Sequence, residues 1–364
     1  MPRMGTVVAV GAAALVARRA LRRRVRTSPL WPLPALDEPV SGRGQAGLPA
    51  HARRLTVVER TTEAEGVLRL RLEGTDLPAW EPGAHVDLVL PSGAVRPYSL
   101  CGDPAVPGSY TLAVRLVEDG RGGSREVHEQ LHEGTEVEVR GPRNRFPLTD
   151  AHAYVFIAGG IGITPILPMV RQAERAGVPW RLLYGGRSRA SMPFLAEVEE
   201  LAGAGADRVT VVAEDEDGRP DLAALLAAAP PHAAVHCCGP QPLMDAVAAL
   251  LPGGPDGLTL HTERFAPAAP AAAGAQLPFE VELRRTGRTV AVAPGTSVLR
   301  AVRDQALPDL PYSCEQGFCG TCRQRVLAGA VDHRDELLTD AERDDSLLIC
   351  VSRARGGGRL VLDL

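Results

Sequence analysis

The chain has 364 residues, of which 45% are hydrophobic and 23% charged, and its formal net charge is −4. That length suffices for two or three domains with separate cores. A slightly acidic chain argues against a nucleic-acid-binding protein, which needs a basic face. Seven cysteines are too few for a disulfide scaffold, so the composition favours a reduced, cytoplasmic protein.

The charge is unevenly distributed along the chain. All forty basic residues are arginine, and residues 1–54 carry a surplus of eight positive charges, whereas the rest carries a net charge of −12. The apolar stretch 5–17 is shorter than the roughly 20 residues of a spanning helix, and the arginines at 18–26 follow it, unlike those of a signal peptide. We expect residues 1–54 to be a disordered basic arm with a proline-rich linker. Weak association of this arm with a membrane surface is the alternative.

Residues 55–150 show short apolar alternations separated by turn signals such as Pro-Ser-Gly at 91–93. Many short strands at this spacing indicate a small antiparallel β-barrel. The predicted strands lie at residues 67–72, 85–90, 110–117 and 136–140.

The hydrophobic period changes after residue 151. From there to residue 265, apolar runs alternate with helical stretches, which predicts a parallel α/β sheet. The predicted strands lie at 154–158, 181–184, 209–212 and 234–238, and the predicted helices at 165–176, 193–201, 222–229 and 242–251.

Residues 266–277 consist mostly of alanine and proline and are interpreted as an interdomain linker. The third unit, residues 278–364, is predicted to hold a hairpin, a helix, a cysteine-rich loop and a closing strand. Its predicted elements lie at 279–284, 289–293, 298–305 and 359–362. The expected fold class is therefore multidomain, with a barrel, a parallel α/β sheet and a small cysteine-containing unit.

Four cysteines of the third unit follow the spacing C-x4-C-x2-C, with the fourth cysteine 27 residues further on. This is the plant-type arrangement for a [2Fe-2S] cluster. A zinc site is the alternative, but zinc usually takes paired C-x2-C halves and the second half is absent. The predicted ligands are Cys314, Cys319, Cys322 and Cys350.

A second motif, Arg-Pro-Tyr-Ser-Leu, occupies residues 96–100 of the predicted barrel, and an edge strand with a solvated arginine is the alternative interpretation. With the cysteine motif, it resembles the phthalate dioxygenase reductase and vanillate demethylase reductase family, within the ferredoxin reductase superfamily. The resemblance covers residues 55–364. It implies an FMN-binding barrel, a nucleotide-binding domain and a C-terminal β-grasp ferredoxin of the plant type, in that order.

The resemblance implies which residues hold the flavin. Arg96 would bind its phosphate as a bidentate donor, Tyr98 would pack on the isoalloxazine, and Ser99 would hydrogen-bond the ring edge that accepts hydride. Pro97 stands where the family often has threonine, and it removes one backbone N–H. Further residues implied at the ring are Ala113, Val114 and Arg115, and further residues implied at the phosphate are Gly122, Gly123 and Ser124.

A glycine-rich turn at residues 159–165 follows a buried strand and opens a helix, a setting that suits a pyrophosphate at a helix N-terminus. A tight packing turn is the alternative. The expected nucleotide-binding residues here are Gly160, Gly162, Thr164 and Pro165.

The turn Cys238-Gly239-Pro240 matches the family's turn beside the nicotinamide, although Cys238 is equally read as a small buried residue. Ser99 and Cys238 are the residues expected at the hydride-transfer site. The resemblance also extends to His261, Glu263 and Phe265. Phe265 is expected to cover the ring region or the interdomain joint, and simple packing is the alternative.

Nucleotide preference depends on residues 187–189, which follow the second strand of the α/β sheet. Arg187, Ser188 and Arg189 could hold a 2′-phosphate, so both NADH and NADPH stay open, although the habit of the family favours NADH. The resemblance implies electron transfer from NAD(P)H through FMN and the cluster to a terminal oxygenase of the Rieske type. A haem monooxygenase partner and a non-catalytic redox-sensing role are the alternatives.

Overall fold

The computed structural model describes residues 52–203, 208–251, 257–265, 276–335 and 337–364. Nearly all of the predicted basic arm and of the predicted 266–277 linker therefore lies outside the described residues. Within the described ranges, no helix has the length and apolar character needed to cross a lipid bilayer.

The first sheet has six antiparallel strands in the order β4-β3-β6-β1-β2-β5. Leu100 bridges to Leu112, and the Cys101 N–H donates to the Thr111 carbonyl at 3.0 Å, so the outer strands meet and close a barrel. Its elements are β1 (Arg53–Ala64), β2 (Val67–Glu73), β3 (Ala84–Val89), β4 (Val95–Ser99), β5 (Ser109–Arg115), β6 (Glu136–Asn144) and the helix α1 (Gly123–Gln130).

Alternation of side chains along β2 shows why these residues form a barrel strand. Leu68, Leu70 and Leu72 are buried, and the intervening arginines point outward. Arg69 and Arg71 pair across the ladder with Glu59 of β1, at 3.0 and 3.2 Å. One face of the strand is thus in the core and the other face carries charge pairs.

Strand β1 begins at Arg53, two residues inside the stretch predicted as the arm. Arg53 and Arg54 pair with Val139 and Glu138 of β6, and this pairing extends the ladder beyond the hydrophobic pattern. Helix α1 was not predicted, because its eight residues contain one apolar side chain, Val127.

The second sheet is parallel, in the order β11-β10-β7-β8-β9. From β7 the chain builds outward on one side through β8 and β9, then returns to add β10 and β11 on the other. Such a switch point, at the carboxyl ends of the strands, is where open α/β sheets bind ligands. The elements are β7 (Tyr154–Gly159), β8 (Trp180–Gly186), β9 (Val209–Ala213), β10 (Ala234–Cys238), β11 (Thr259–Glu263), α2 (Ile163–Ala176), α3 (Leu195–Ala202), α4 (Glu214–Asp217), α5 (Leu222–Ala227) and α6 (Gln241–Leu250).

The third sheet is mixed, in the order β13-β12-β18-β14-β16, and α7 packs its buried face against it. This is the β-grasp arrangement. The elements are β12 (Phe279–Leu283), β13 (Arg288–Val292), α7 (Val298–Gln305), β14 (Arg323–Ala328), β15 (Val331–Asp332), α8 (Asp340–Arg343), β16 (Ser346–Leu348), β17 (Arg353–Ala354) and β18 (Leu360–Leu362).

The hydrophobic cores show how the three sheets are joined. One core cluster contains both barrel residues, such as Val67 and Ala113, and residues of the α/β unit, such as Phe156 of β7 and Ile163 of α2. The apolar cluster of the third sheet draws only on described residues from 279 onward. Apolar packing therefore fastens the barrel to the parallel sheet, whereas the third unit keeps a core of its own.

Candidate functional site

The barrel forms an anion site where Arg96 meets the N-terminus of α1. Arg96 lies on β4, and its side chain packs so closely on Gly123 that a Cβ there would come within 2.7 Å of the Arg96 Nε. The first N–H groups of a helix have no intrahelical acceptor and favour negative charge. The Ser124 hydroxyl accepts the Val117 N–H at 3.0 Å and keeps its own proton to donate. A phosphate fits this combination of guanidinium, amides and hydroxyl.

A cavity of about 220 Å³ lies beside the last residues of β4. Burial raises the pKa of Tyr98, so its phenol stays neutral. Pro97 pairs only with Asp87 of β3 at this point of the barrel, so its missing N–H is tolerated. The cavity is lined by His85, Pro97, Tyr98, Ser99, Arg145, Thr262, Glu263, Arg264, Phe265, Phe318, Cys319 and Leu337.

Three residues predicted at the flavin ring lie elsewhere than on this lining. Ala113 and Val114 are buried in the cores, and Arg115 is exposed at the end of β5. Partial desolvation and the positive charge of Arg187 lower the pKa of Arg115. Contact of these three residues with the ring stays a prediction.

Ser99 and Glu263 form a polar pair that joins the barrel to the end of the parallel sheet within this cavity. The Ser99 hydroxyl donates to Glu263 Oε2 at 3.2 Å, and burial raises the pKa of Glu263 to about 8. Cys238 lies beside Glu263 in the ladder, and burial raises the pKa of its thiol well above 9, so the sulfur is a neutral thiol. Phe265 follows on the same cavity wall with 41% of its surface exposed.

Glu263 lies in the cavity beside Ser99, although the sequence analysis did not predict it as a site residue. The motif His-x-Glu-x-Phe contains it, but nothing local shows that its carboxyl meets Ser99. That meeting depends on β11 joining the sheet next to β10, and β11 was not predicted as a strand.

The glycine turn lies at the carboxyl end of β7, at the switch point. Gly160 has a φ of +53°, and a Cβ there would meet nothing within 4 Å, so the backbone is open to a ligand. The Thr164 hydroxyl donates to the Ile161 carbonyl at 2.9 Å and braces the turn. Pro165 lies in the first turn of α2, where its missing N–H has no intrahelical role.

Gly162 serves a different purpose in the same turn. A Cβ at this position would lie 2.2 Å from the Cys238 carbonyl oxygen, so the two turns touch backbone to backbone. Gly239 likewise lies against Gly159, with its Cβ position 3.0 Å from the Gly159 nitrogen. The alternative of a tight packing turn therefore accounts for Gly162, while Gly160 is the position that faces open space.

The arginines after β8 differ in their partners. Arg189 forms an ion pair with Glu199. Arg187 is exposed, and its carbonyl accepts the Asp215 N–H of α4 at 3.1 Å, which brings the acidic helix Glu214–Asp217 beside it. A ligand bound at this edge of the parallel sheet would therefore lie near the positive charge of Arg187 and the negative charges of helix α4.

The four cysteines of the third unit lie in two pairs, Cys314 with Cys319 and Cys322 with Cys350. All four are buried and none is in a disulfide. The Cys314 N–H donates to the Cys319 sulfur at 3.5 Å, and hydrogen bonding from the Cys314 side chain lowers the pKa of the Cys319 thiol. The Gln316 N–H also points at the Cys314 sulfur, at 3.3 Å.

Two pairs of thiols with amides directed at the sulfurs fit a two-iron cluster, in which each iron takes two cysteines. Within the described ranges, no set of three or more His, Cys, Asp or Glu side chains is gathered closely enough to hold a single metal ion. The donor set and its pairing are therefore those of a cluster.

The cavity also fits a flavin by its own chemistry. His85 is buried in its wall, and both of its ring nitrogens lack a protein partner. Burial lowers the pKa of His85 to about 4, so the ring is neutral and offers one donor and one acceptor. Phe318 and Cys319 of the cluster loop line the same cavity as Tyr98 and Ser99. A group held in this cavity would therefore lie close both to the end of the parallel sheet and to the cysteine loop.

Comparison with known families identifies two of the three units. The family described as the oxidoreductase NAD-binding domain matches residues 156–249, and the family described as the 2Fe-2S iron-sulfur cluster binding domain matches residues 281–355. The second match covers the cysteine pairs described above.

Comparison with whole proteins extends the likeness to the barrel. The chain is 45% identical to the phenoxybenzoate dioxygenase subunit beta of Ectopseudomonas oleovorans, over 79% of this chain and 89% of that protein. The crystal structure of phthalate dioxygenase reductase matches with 35% identity and a TM-score of 0.65, over 86% of this chain and 98% of the other.

An intact type IV self-sufficient cytochrome P450 monooxygenase matches with 39% identity and a TM-score of 0.74, over 86% of this chain. This chain spans only 41% of the length of that protein. The chain is accordingly an NAD(P)H-dependent oxidoreductase that carries a [2Fe-2S] cluster and FMN, the flavin that the family implies, and serves as the reductase of an oxygenase system. It belongs to the phthalate dioxygenase reductase family.

Proposed function

We propose that the chain passes electrons from NADH to a separate terminal oxygenase of the Rieske type. The observation that supports an internal electron route is the shared cavity, whose wall includes Tyr98 and Ser99 on one side and Phe318 and Cys319 on the other. The 45% identity with phenoxybenzoate dioxygenase subunit beta supports the choice of a dioxygenase partner. The match to phthalate dioxygenase reductase, which extends over 98% of that protein, supports it as well.

The residues of this chain bind and orient the reactants. Arg96 and the first turn of α1 hold the flavin phosphate, and Gly160 admits the nucleotide to the switch point. Ser99 and Glu263 fix the hydrogen-bonding pattern at the ring edge. When bound, the flavin accepts two electrons as a hydride and releases them singly to the cluster.

We also propose that the three sheets act as three domains. The barrel, residues 55–150, binds FMN; residues 151–265 bind the nucleotide; residues 278–364 hold the cluster, after a linker at 266–277. The seven free thiols and the NAD(P)H requirement support a cytoplasmic location. Association of the basic arm with a membrane surface stays a prediction about residues outside the described ranges.

NADH is proposed over NADPH because of the charges around Arg187. The acidic helix α4 lies beside it and Arg189 is already paired with Glu199, so a 2′-phosphate would meet carboxylates as well as one free guanidinium. Anaerobic titration with each nucleotide, followed by flavin and cluster absorbance, measures the preference. Equal or tighter reduction by NADPH would overturn this choice.

A haem monooxygenase is the second candidate partner, since the P450 fusion protein matches at 39% identity. Purified candidate partners of both kinds, each supplied with NADH and this chain, distinguish the two. We expect rapid reduction of the Rieske centre and slow reduction of the haem, and the reverse order would replace the proposal. Absence of NADH-driven turnover with any one-electron acceptor would favour the non-catalytic redox-sensing role.

A further inference from the structure

The contact between the barrel and the cluster unit is polar, unlike the contact between the barrel and the parallel sheet. The apolar cluster of the third unit includes no described residue of the barrel. Hydrogen bonds between the cluster loop and three barrel segments join the two units instead. The position of the cluster loop against the flavin cavity therefore depends on a small number of hydrogen bonds.

The most deeply buried of these bonds joins Ser313 to Asp87. The Ser313 hydroxyl donates to Asp87 Oδ1 at 2.6 Å, and the two side chains are almost wholly inaccessible to water. Asp87 lies on β3 opposite Pro97 of β4, and Arg143 of β6 forms an ion pair with its other oxygen. The carboxylate is thus fixed by the barrel and oriented toward the residue that precedes the first cysteine ligand.

Three other hydrogen bonds of the same interface are less protected from water, and one of them is the exposed bond from Arg121 to Gln316 Oε1 at 3.0 Å. Arg121 donates to the Cys314 carbonyl at 2.7 Å from a partly buried position, and the Tyr312 hydroxyl donates to the Gly93 carbonyl at 3.3 Å in an exposed one. Hydrogen bonds to a charged group away from water contribute more than exposed ones, since water competes less well for the partners. Among these hydrogen bonds, the Asp87–Ser313 bond is therefore the one best protected from water.

We propose that Asp87, oriented by Arg143, is a positioning residue that holds the cluster loop against the flavin cavity through Ser313. This inference rests on the proposed electron route, in which two electrons enter the flavin from NADH and leave one at a time to the cluster. Asp87 lies outside the lining of the flavin cavity and is not one of the four predicted cluster ligands. It determines how often the loop occupies the position from which electron transfer is fast.

The two steps of the route should respond differently to loss of this bond. Reduction of the flavin by NADH depends on the barrel and the parallel sheet, which share an apolar core and do not need the bond. Reduction of the cluster depends on the separation of the carriers, because electron transfer slows steeply with distance. Removing a buried hydrogen bond to a charged group lowers the equilibrium constant for the observed position of the cluster loop against the barrel by about 10- to 100-fold. We expect cluster reduction to slow at least about fivefold.

The test is stopped-flow reduction of the full, cofactor-loaded chain by NADH under anaerobic conditions, with flavin and cluster absorbance followed separately. Asp87→Asn changes only the barrel, and Ser313→Ala changes only the cluster loop. Both should leave the rate of flavin reduction unchanged and slow the cluster phase. Asp87→Asn keeps an acceptor but removes its charge, whereas Ser313→Ala removes the donor. The double variant should be no slower than Ser313→Ala alone, because without the Ser313 hydroxyl the side chain at position 87 no longer bonds the loop.

Ser297→Ala is the matched control. It removes the hydroxyl that caps α7 by accepting the Arg300 N–H at 3.1 Å, so it weakens the same unit without touching the barrel. Its cluster phase should match that of the unchanged chain. The electron paramagnetic resonance spectrum and midpoint potential of the cluster should also be unchanged in Asp87→Asn and Ser313→Ala.

Each outcome has a distinct meaning. An unchanged cluster phase in both variants overturns the positioning role, and so does a slowed phase that a shifted cluster potential explains. Loss of flavin or cluster from both variants would assign the pair to folding instead and also overturn it. If the unchanged chain itself reduces its flavin but never its cluster, the proposed electron route fails, independently of Asp87.

Discussion

Glu263 gives the sharpest test of the hydride-transfer site, since its chemistry follows from its surroundings. The carboxyl lies on the wall of the flavin cavity and accepts the Ser99 hydroxyl. Burial raises its pKa from 4.5 to about 8, and the hydrogen bond only partly opposes this. At pH 7 about ten molecules therefore carry the neutral carboxyl for each one that is ionised.

The shift from 4.5 to about 8 corresponds to on the order of 5 kcal/mol between the two protonation states. Because the folded-state pKa is the higher one, the contribution to stability is complete below pH 4.5 and is lost as the pH rises through 8. Ionisation would also place a negative charge on the wall of the cavity in which, under the proposed function, the flavin would accept a hydride. We therefore expect flavin reduction by NADH to slow as the pH rises through 8.

Glu263→Gln keeps the shape of the neutral carboxyl and removes its titration. Stopped-flow flavin reduction, measured from about pH 6 to about pH 9.5, should show an inflection near pH 8 in the unchanged chain. The variant should show none, while its rate near pH 6 stays close to that of the unchanged chain. Glu280→Gln, at an exposed position of β12, is the control and should keep the inflection.

Two results would refute this reasoning. An inflection near pH 8 that persists in Glu263→Gln would assign the titration to another group. A flat profile in the unchanged chain would show that the carboxyl of the loaded protein does not titrate near 8. Infrared difference spectra provide a check that does not depend on turnover, since a protonated carboxyl absorbs at a frequency of its own and the glutamine variant lacks that band.

Three further substitutions test other parts of the site. Arg96→Ala should weaken FMN binding about 10- to 100-fold, measured by flavin fluorescence, and leave the cluster absorbance intact; full retention of flavin would contradict the phosphate role. Cys322→Ser should abolish the cluster absorbance but not flavin reduction by NADH, and loss of both would mean that the units are interdependent. Gly162→Ala places a Cβ 2.2 Å from the Cys238 carbonyl oxygen, so calorimetry should show a melting temperature lower by about 2–10 °C. An unchanged melting temperature would mean that the turn can move aside at little cost.

The sequence by itself determined the parts of this protein that depend on local chemistry. The strand Ala234–Cys238 and the helix Val298–Gln305 match their predicted ranges, because their hydrophobic periods are strong and uninterrupted. The cysteine spacing specifies a two-iron cluster because three thiolates must reach it from one loop. The glycine turn is equally local, since the strand before it and the helix after it are encoded beside it.

Only the tertiary structure decided which distant residues share a site. Ser99 meets Glu263 across 164 positions of sequence, and Ser313 meets Asp87 across 226. Neither contact leaves a local pattern, because each is made by two strands or loops that different sheets bring together. The structure also distinguishes two glycines of one motif: Gly160 faces open space, whereas Gly162 packs against the backbone of Cys238. The physical reason is that a motif specifies backbone conformation, whereas burial, pKa and partners depend on what the rest of the chain places around it.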